Sequence, residues 1–147
     1  YVLDHFPGQL GIRAGRRIVG REKLTEADIR AGRRFADAVA RGTFYIDFHD
    51  PHSDRAGYAV EQEQVPPYDI RYGCLVPRGA QNILAAGRCL SSDQVANSSA
   101  RVMTSCGMMG QAAGIAAAWA GDRDVAVHEV GAKELRLALT DRGAQLD

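Results

Sequence analysis

The chain has no surplus of either charge: 18 Lys and Arg balance 18 Asp and Glu. A protein whose main partner is nucleic acid or an anionic membrane carries a basic excess, so neither is expected here. Cysteine is scarce. Cys74, Cys89 and Cys106 are odd in number, widely spaced and without a C-x-x-C pair. They make no disulfide framework, and a reducing cytoplasm is the expected compartment. No amino-terminal stretch has the charged, apolar and cleavage regions of a signal peptide. The first residue is Tyr1 rather than Met, which reads as a piece of a longer protein or a trimmed one. No G-x-G-x-x-G follows a strand-like run, so the turn that cradles a dinucleotide pyrophosphate is missing from this sequence.

What is present suits one domain. A chain of 147 residues can bury a real core. Hydrophobic content of 46% and charged content of 24% are those of an ordinary soluble globular protein. The most informative stretch runs from Asn82 to Gly121. Its short apolar run, Ile83-Leu84-Ala85-Ala86, closes at Gly87 and fits a buried strand. A polar loop rich in Ser and Asn follows. Val102 to Gly121 then carries no charge, with Gly107, Gly110, Gly114, Ala118 and Gly121 at helical spacing. At roughly 100° per residue these five share one side of a helix. Glycine in a helix interior costs about 1 kcal/mol relative to alanine, so such a stripe suggests close approach to a sheet, another helix or a flat ligand. A packed core helix is the plainer reading. A membrane span is disfavoured, because the run is mostly Ala and Gly and Gln111 sits in its middle.

Elsewhere, Arg16 to Gly20 reads as a strand or extended stretch. Thr25-Glu26-Ala27-Asp28 reads as a helix start ending near Gly32, with Thr at the cap and acids in the first turn. Phe35 to Gly42 reads as a short helix. Thr43 to Phe48 and Asp69 to Pro77 read as strands, and Gly131 to Arg142 as an amphipathic helix stopped by Gly143. The hexapeptide IRAGRR occurs at 12–17 and 29–34, and for the second copy surface ion pairs are preferred over an anion site. His49-Asp50-Pro51-His52-Ser53-Asp54 invites a metal reading. A Pro-broken loop gives the ligands no scaffold, so no metal is expected.

Several dissimilar segments together resemble a family of FAD-dependent oxidoreductases, and they follow its order. They are GIRAGRRIVGREKLTEADI, RRFADAVARGTFYIDFHDP, DIRYGCLVP, AAGRCLSS and SSARVMTSCGMMGQAAGIAAA. The family is distantly similar to the flavoprotein subunits of fumarate reductase and succinate dehydrogenase. The resemblance covers most of the chain but only the later part of the family.

It implies an α/β fold with two parts. Residues 1–77 would belong to a substrate domain, and 78–147 would be the carboxyl-terminal part of a Rossmann-like FAD-binding domain. FAD is the implied cofactor, set against Gly87, Arg88, Cys89, Thr104, Ser105, Gly107, Gly110 and Gln111. Arg101 and His49 are the implied substrate-side residues. In the related fumarate reductases a Glu that binds the ribityl hydroxyls stands at the place of Arg88. Their Asn-Arg pair, whose Arg binds a substrate carboxylate, matches Asn97 and Arg101 only loosely. Apart from any resemblance, a helix start near 104 offers free N–H groups and a positive dipole end, and Thr104 and Ser105 are placed to cap it or donate to a ligand. The expected partners are a small-molecule substrate, the remaining amino-terminal part of the same polypeptide, and a second copy in a homo-oligomer. The rival readings are a non-catalytic binding or structural domain and a metal module at 49–54.

Overall fold

An antiparallel ribbon of two short strands lies at the centre, β1 (Ala38–Gly42) and β2 (Tyr68–Arg71). Ala38 faces Arg71, Ala40 faces Ile70, Arg41 faces Asp69 and Gly42 faces Tyr68, with a bulge between Ala38 and Ala40. A two-stranded ribbon is marginal in water by itself. Here Ala38, Val39, Ala40, Tyr68 and Ile70 are all fully buried beneath helices. The computed structural model describes residues 8, 11–48 and 63–146. Its helices are α1 (Glu26–Arg30), α2 (Gln94–Ala100), α3 (Met103–Arg123) and α4 (Ala132–Asp141). Both α3 and α4 pack on β1 and on each other, while α1 packs on α2 and reaches β2. Among the described residues the architecture is thus mixed helix and small antiparallel sheet, within the broad α/β class. None of the helices is long and apolar enough to cross a membrane.

Local signals account for α1 and α4. The Thr25 hydroxyl accepts the Asp28 N–H at 3.2 Å, and the Asp28 carboxylate accepts the Thr25 N–H at 3.0 Å. This reciprocal cap satisfies two orphan donors of the first turn. Gly32, at φ 56°, takes the left-handed conformation that ends the helix. In α4, Leu135 and Leu139 are buried on one face, and Gly143 at φ 87° follows as the stop.

Several expectations are corrected. The segment 35–42 is not a helix. The Phe35 N–H is taken by the Asp69 carboxylate at 2.8 Å, and the next residues pair with β2. The nonlocal ladder overrides the local pattern. Residues 16–20 belong to no strand and form isolated contacts instead, Ile18 N–H to Cys89 O, Arg78 N–H to Val19 O and the Gly20–Pro77 bridge. In 43–48, among the described residues, only Ile46 bridges, to Glu63. The strand begun at Tyr68 ends at Arg71, and Tyr72–Cys74 curl into a 3-10 turn. Residues 83–86 form no ladder among the described residues. Ala85 N–H reaches Leu75 O, and Ile83 is 56% exposed. The Ser- and Asn-rich stretch is α2 rather than a loop, and five of its seven residues are buried. Asp93 caps it by accepting the Ala96 N–H at 2.8 Å, and its other carboxylate oxygen takes the Glu26 N–H of α1 at 2.7 Å. Ser98, Ser99 and Asn97 each find a backbone acceptor, so a polar helix can be buried without orphan groups.

Candidate functional site

The chain bends sharply between α2 and α3. Arg101 closes α2, its N–H bonded to Asn97 O, and Val102 in extended conformation (ψ 156°) begins α3. No side chain caps α3, so of the two roles expected for Thr104 and Ser105 the cap is not formed. From the fourth residue on, the N–H groups are bonded within the helix, and Cys106 N–H already reaches Val102 O. The N–H groups of Met103, Thr104 and Ser105 precede any helical acceptor, so the positive end of a 21-residue helix lies at this bend.

Against this first turn sits the turn at Gly87. Gly87 is buried and holds φ 92°, and a Cβ there would lie 3.7 Å from Cys106 Sγ. Glycine is favoured because the conformation is left-handed, whereas the space itself would admit a Cβ in ordinary contact with Cys106. Arg88 is exposed and donates from Nη1 to Ile12 O at 2.5 Å, while Asn97 Nδ2 of α2 donates to Arg88 O at 3.2 Å. Cys89 is half-buried, its Sγ 3.5 Å from Ala86 O. Burial pushes the Cys106 thiol up, and the Arg88 charge acts in the other direction.

The sides of α3 differ. Ser105, Met109, Ala112, Ala116 and Ala120 are buried toward the core. Gly107, Gly110, Gly114, Ala118 and Gly121 lie opposite and are exposed, with nothing within 4 Å of a Cβ added at any of the four glycines. The expectation that this stripe is packed within the chain is therefore corrected. The core face is made of Ser, Met and Ala, and the bare face points outward. On a third side Thr104, Met108 and Gln111 border an open pocket of about 640 Å³, closed by Arg41 and Thr43 at the end of β1 and by residues 142–145.

The expected site residues therefore separate into groups. Gly87, Arg88 and Cys89 meet the first turn of α3. Thr104 and Gln111 share the pocket wall, Gly107 and Gly110 lie on the open face, and Ser105 is 1% exposed beneath the helix. Arg101 is nearly enclosed, its side chain 11% exposed. It donates from Nη2 to Asp47 O at 2.9 Å and to Asp47 Oδ2 at 3.2 Å. The Asp93 carboxylate is committed to the starts of α1 and α2. His49 and the loop 49–54 lie outside the described residues. Among the described residues no three metal-ligating side chains gather.

The second IRAGRR copy is ion-paired as expected: Arg30 with Glu26 and Glu63, Arg33 with Asp28, Arg34 with Asp69. Sequence reasoning missed Asp47, Thr43 and Cys106. The strand-like run through Asp47 and the glycine turn at 87 were visible, but which residues they meet is set by tertiary packing. No curated protein and no solved structure matches the chain. The model of the family described as FAD dependent oxidoreductase matches residues 1–139, and the chain belongs to that family.

Proposed function

We propose that this chain is the carboxyl-terminal part of a FAD-dependent oxidoreductase that moves hydride or electrons between a small organic substrate and the flavin. Residues 78–147 would complete a Rossmann-like FAD-binding domain, and 1–77 would contribute to the substrate domain. The observation that carries the reading is the uncapped amino-terminal turn of α3 lying against the Gly87 turn. Bound FAD would supply a two-electron redox centre, with negative charge growing at its N1/O2 edge on reduction. The residues here fit that need. The N–H groups of Met103, Thr104 and Ser105 present a positive dipole end without a competing side-chain cap. Gly87 keeps the neighbouring backbone free of a Cβ, and Gly107 and Gly110 keep the open face of α3 bare. Thr104 and Gln111 add donors from the pocket side.

Arg101 is the residue proposed to orient substrate. Two bonds to Asp47 hold its Nη2, and a guanidinium fixed in this way can engage a carboxylate in a set direction. His49 is proposed on the substrate side. An uncommitted helix start is an anion site, but the pyrophosphate turn is absent from this sequence, so the ADP half of FAD lacks its partners here. Titrating the 147-residue chain with FAD and following flavin fluorescence tests this. Weak or no binding is expected, and stoichiometric binding at micromolar FAD would overturn the reading of an incomplete site.

A further inference from the structure

Two guanidinium groups and no carboxylate line the open cavity beside α3, among the described residues. Its volume of about 640 Å³ is of the size that takes a small molecule. Arg41, half-buried, comes from β1, with Thr43 just past the strand end. Arg142 and Gln145 come from the chain that follows α4. Met108 and Ala144 add apolar surface. Guanidinium groups keep their charge at any working pH, so the lining is cationic.

The wall after α4 is fixed, and its carbonyls are already taken. Leu146 is fully buried, and its O accepts Arg34 Nη2 at 2.7 Å and Arg136 Nη2 at 2.6 Å. Arg142 Nη1 donates to Ala138 O at 2.9 Å, Gly143 N–H to Thr140 O at 2.9 Å and Ala144 N–H to Leu139 O at 3.0 Å. Left open, these last carbonyls of α4 would repel an anion. The bond to Ala138 O also holds the Arg142 stem along the helix while using one donor of a fork that carries several.

We propose that this cavity binds a small organic anion, its carboxylate or phosphate group held by Arg41 and Arg142 and its apolar body set against Met108 and Ala144. A guanidinium presents parallel N–H donors that match two oxygens of either acid group. Thr43 and Gln145 add neutral donors beside them. The cavity shares Thr104 and Gln111 with the proposed flavin contacts, but its cations come from β1 and from beyond α4, so the anion needs no flavin.

Phenyl phosphate, benzoate and uncharged benzyl alcohol are titrated separately into the flavin-free 147-residue chain by isothermal titration calorimetry. At least one of the anions should bind saturably, benzyl alcohol should not, and the tighter anion names the acid group. Arg142→Gln should weaken that anion about tenfold, as loss of a charge-assisted hydrogen bond does. Arg78→Gln removes an exposed cation outside the cavity and should bind as the wild type does. Should Arg142→Gln fail to fold by circular dichroism, Arg41→Gln takes its place. Three results would overturn the proposal: no saturable binding of either anion, a loss in Arg142→Gln no greater than in Arg78→Gln, or equal binding of benzyl alcohol. FAD is absent throughout, so this outcome is separate from that of the FAD titration.

Discussion

Gly42→Ala inserts one methyl group at the tightest point of the ribbon. Gly42 faces Tyr68 across β1 and β2, and an added Cβ would fall onto the Tyr68 ring, colliding with Cζ and Oη and lying 2.5 Å from Cε2. The ring cannot swing aside freely. Tyr68 is fully buried and its hydroxyl is 2.7 Å from Ser99 Oγ, which in turn bonds Phe44 O. Overpacking of this kind costs about 1–3 kcal/mol. Displacing the ring also breaks a buried hydrogen bond, which adds about 1–3 kcal/mol. Removing glycine from a strand recovers roughly 0.5–1 kcal/mol. The net loss is about 1–5 kcal/mol, and at roughly 3 °C per kcal/mol for this chain length the thermal midpoint should fall by about 3–15 °C. Thermal unfolding followed by circular dichroism measures it. A midpoint at or above that of the wild type would refute the close packing of Gly42 on Tyr68.

Gly110→Ala should do the opposite, raising stability by about 0.5–1 kcal/mol, because the site is an exposed helix interior with no atom within 4 Å of the new methyl; a lowered midpoint would mean that the stripe is packed. Stability should decline in alkali. Burial foremost pushes the Tyr68 and Tyr72 phenols from 10.0 to about 12 and the Cys74 thiol from 9.0 to about 12. The folded state therefore holds these protons more tightly, so the stabilisation is complete below about pH 9 and lost as pH rises toward about 12. A urea midpoint independent of pH across that window would contradict the assignment. In the full-length enzyme, Arg101→Lys keeps the charge and loses the planar fork. It should cut kcat/KM with little change in flavin spectrum or thermal midpoint, whereas loss of stability with normal turnover would assign Arg101 to holding Asp47.

The parts of the fold written in local chemistry were legible. Thr25 with Asp28, and Leu135 and Leu139 ahead of Gly143, signal α1 and α4 within a few residues of chain. The uncharged run before Gly121 likewise marks α3. What failed depends on distant partners. β1 finds its ladder in a strand some thirty residues later, so its small inward residues resembled a helix. The polar residues of α2 suggested a loop because their acceptors lie outside any local pattern: Phe44 O is 55 residues from Ser99, and Arg88 O lies in the preceding turn. In the site, the glycine stripe and the Gly87 turn were visible. The direction the stripe faces was not, because a helix whose residues are nearly all small or apolar gives periodicity little contrast between its sides.

Asp93 has a consequence for the order in which the protein is made. Its carboxylate holds the start of α1 across 67 residues of sequence, alongside the Ile18–Cys89 hydrogen bond and the Leu24–Ser92 bridge. A ribosome adding about 5–20 residues per second reaches Asp93 roughly 3–13 s after it has made Glu26. During that interval α1 lacks both the Asp93 anchor and α2, the helix it packs on, and a helix of five residues does not persist alone. Leu24 and Ile29, both destined for the core, stay incompletely covered for that time. Of the described helices α1 is thus the earliest made and among the last to be fully secured, and chaperone dependence during translation should concentrate there.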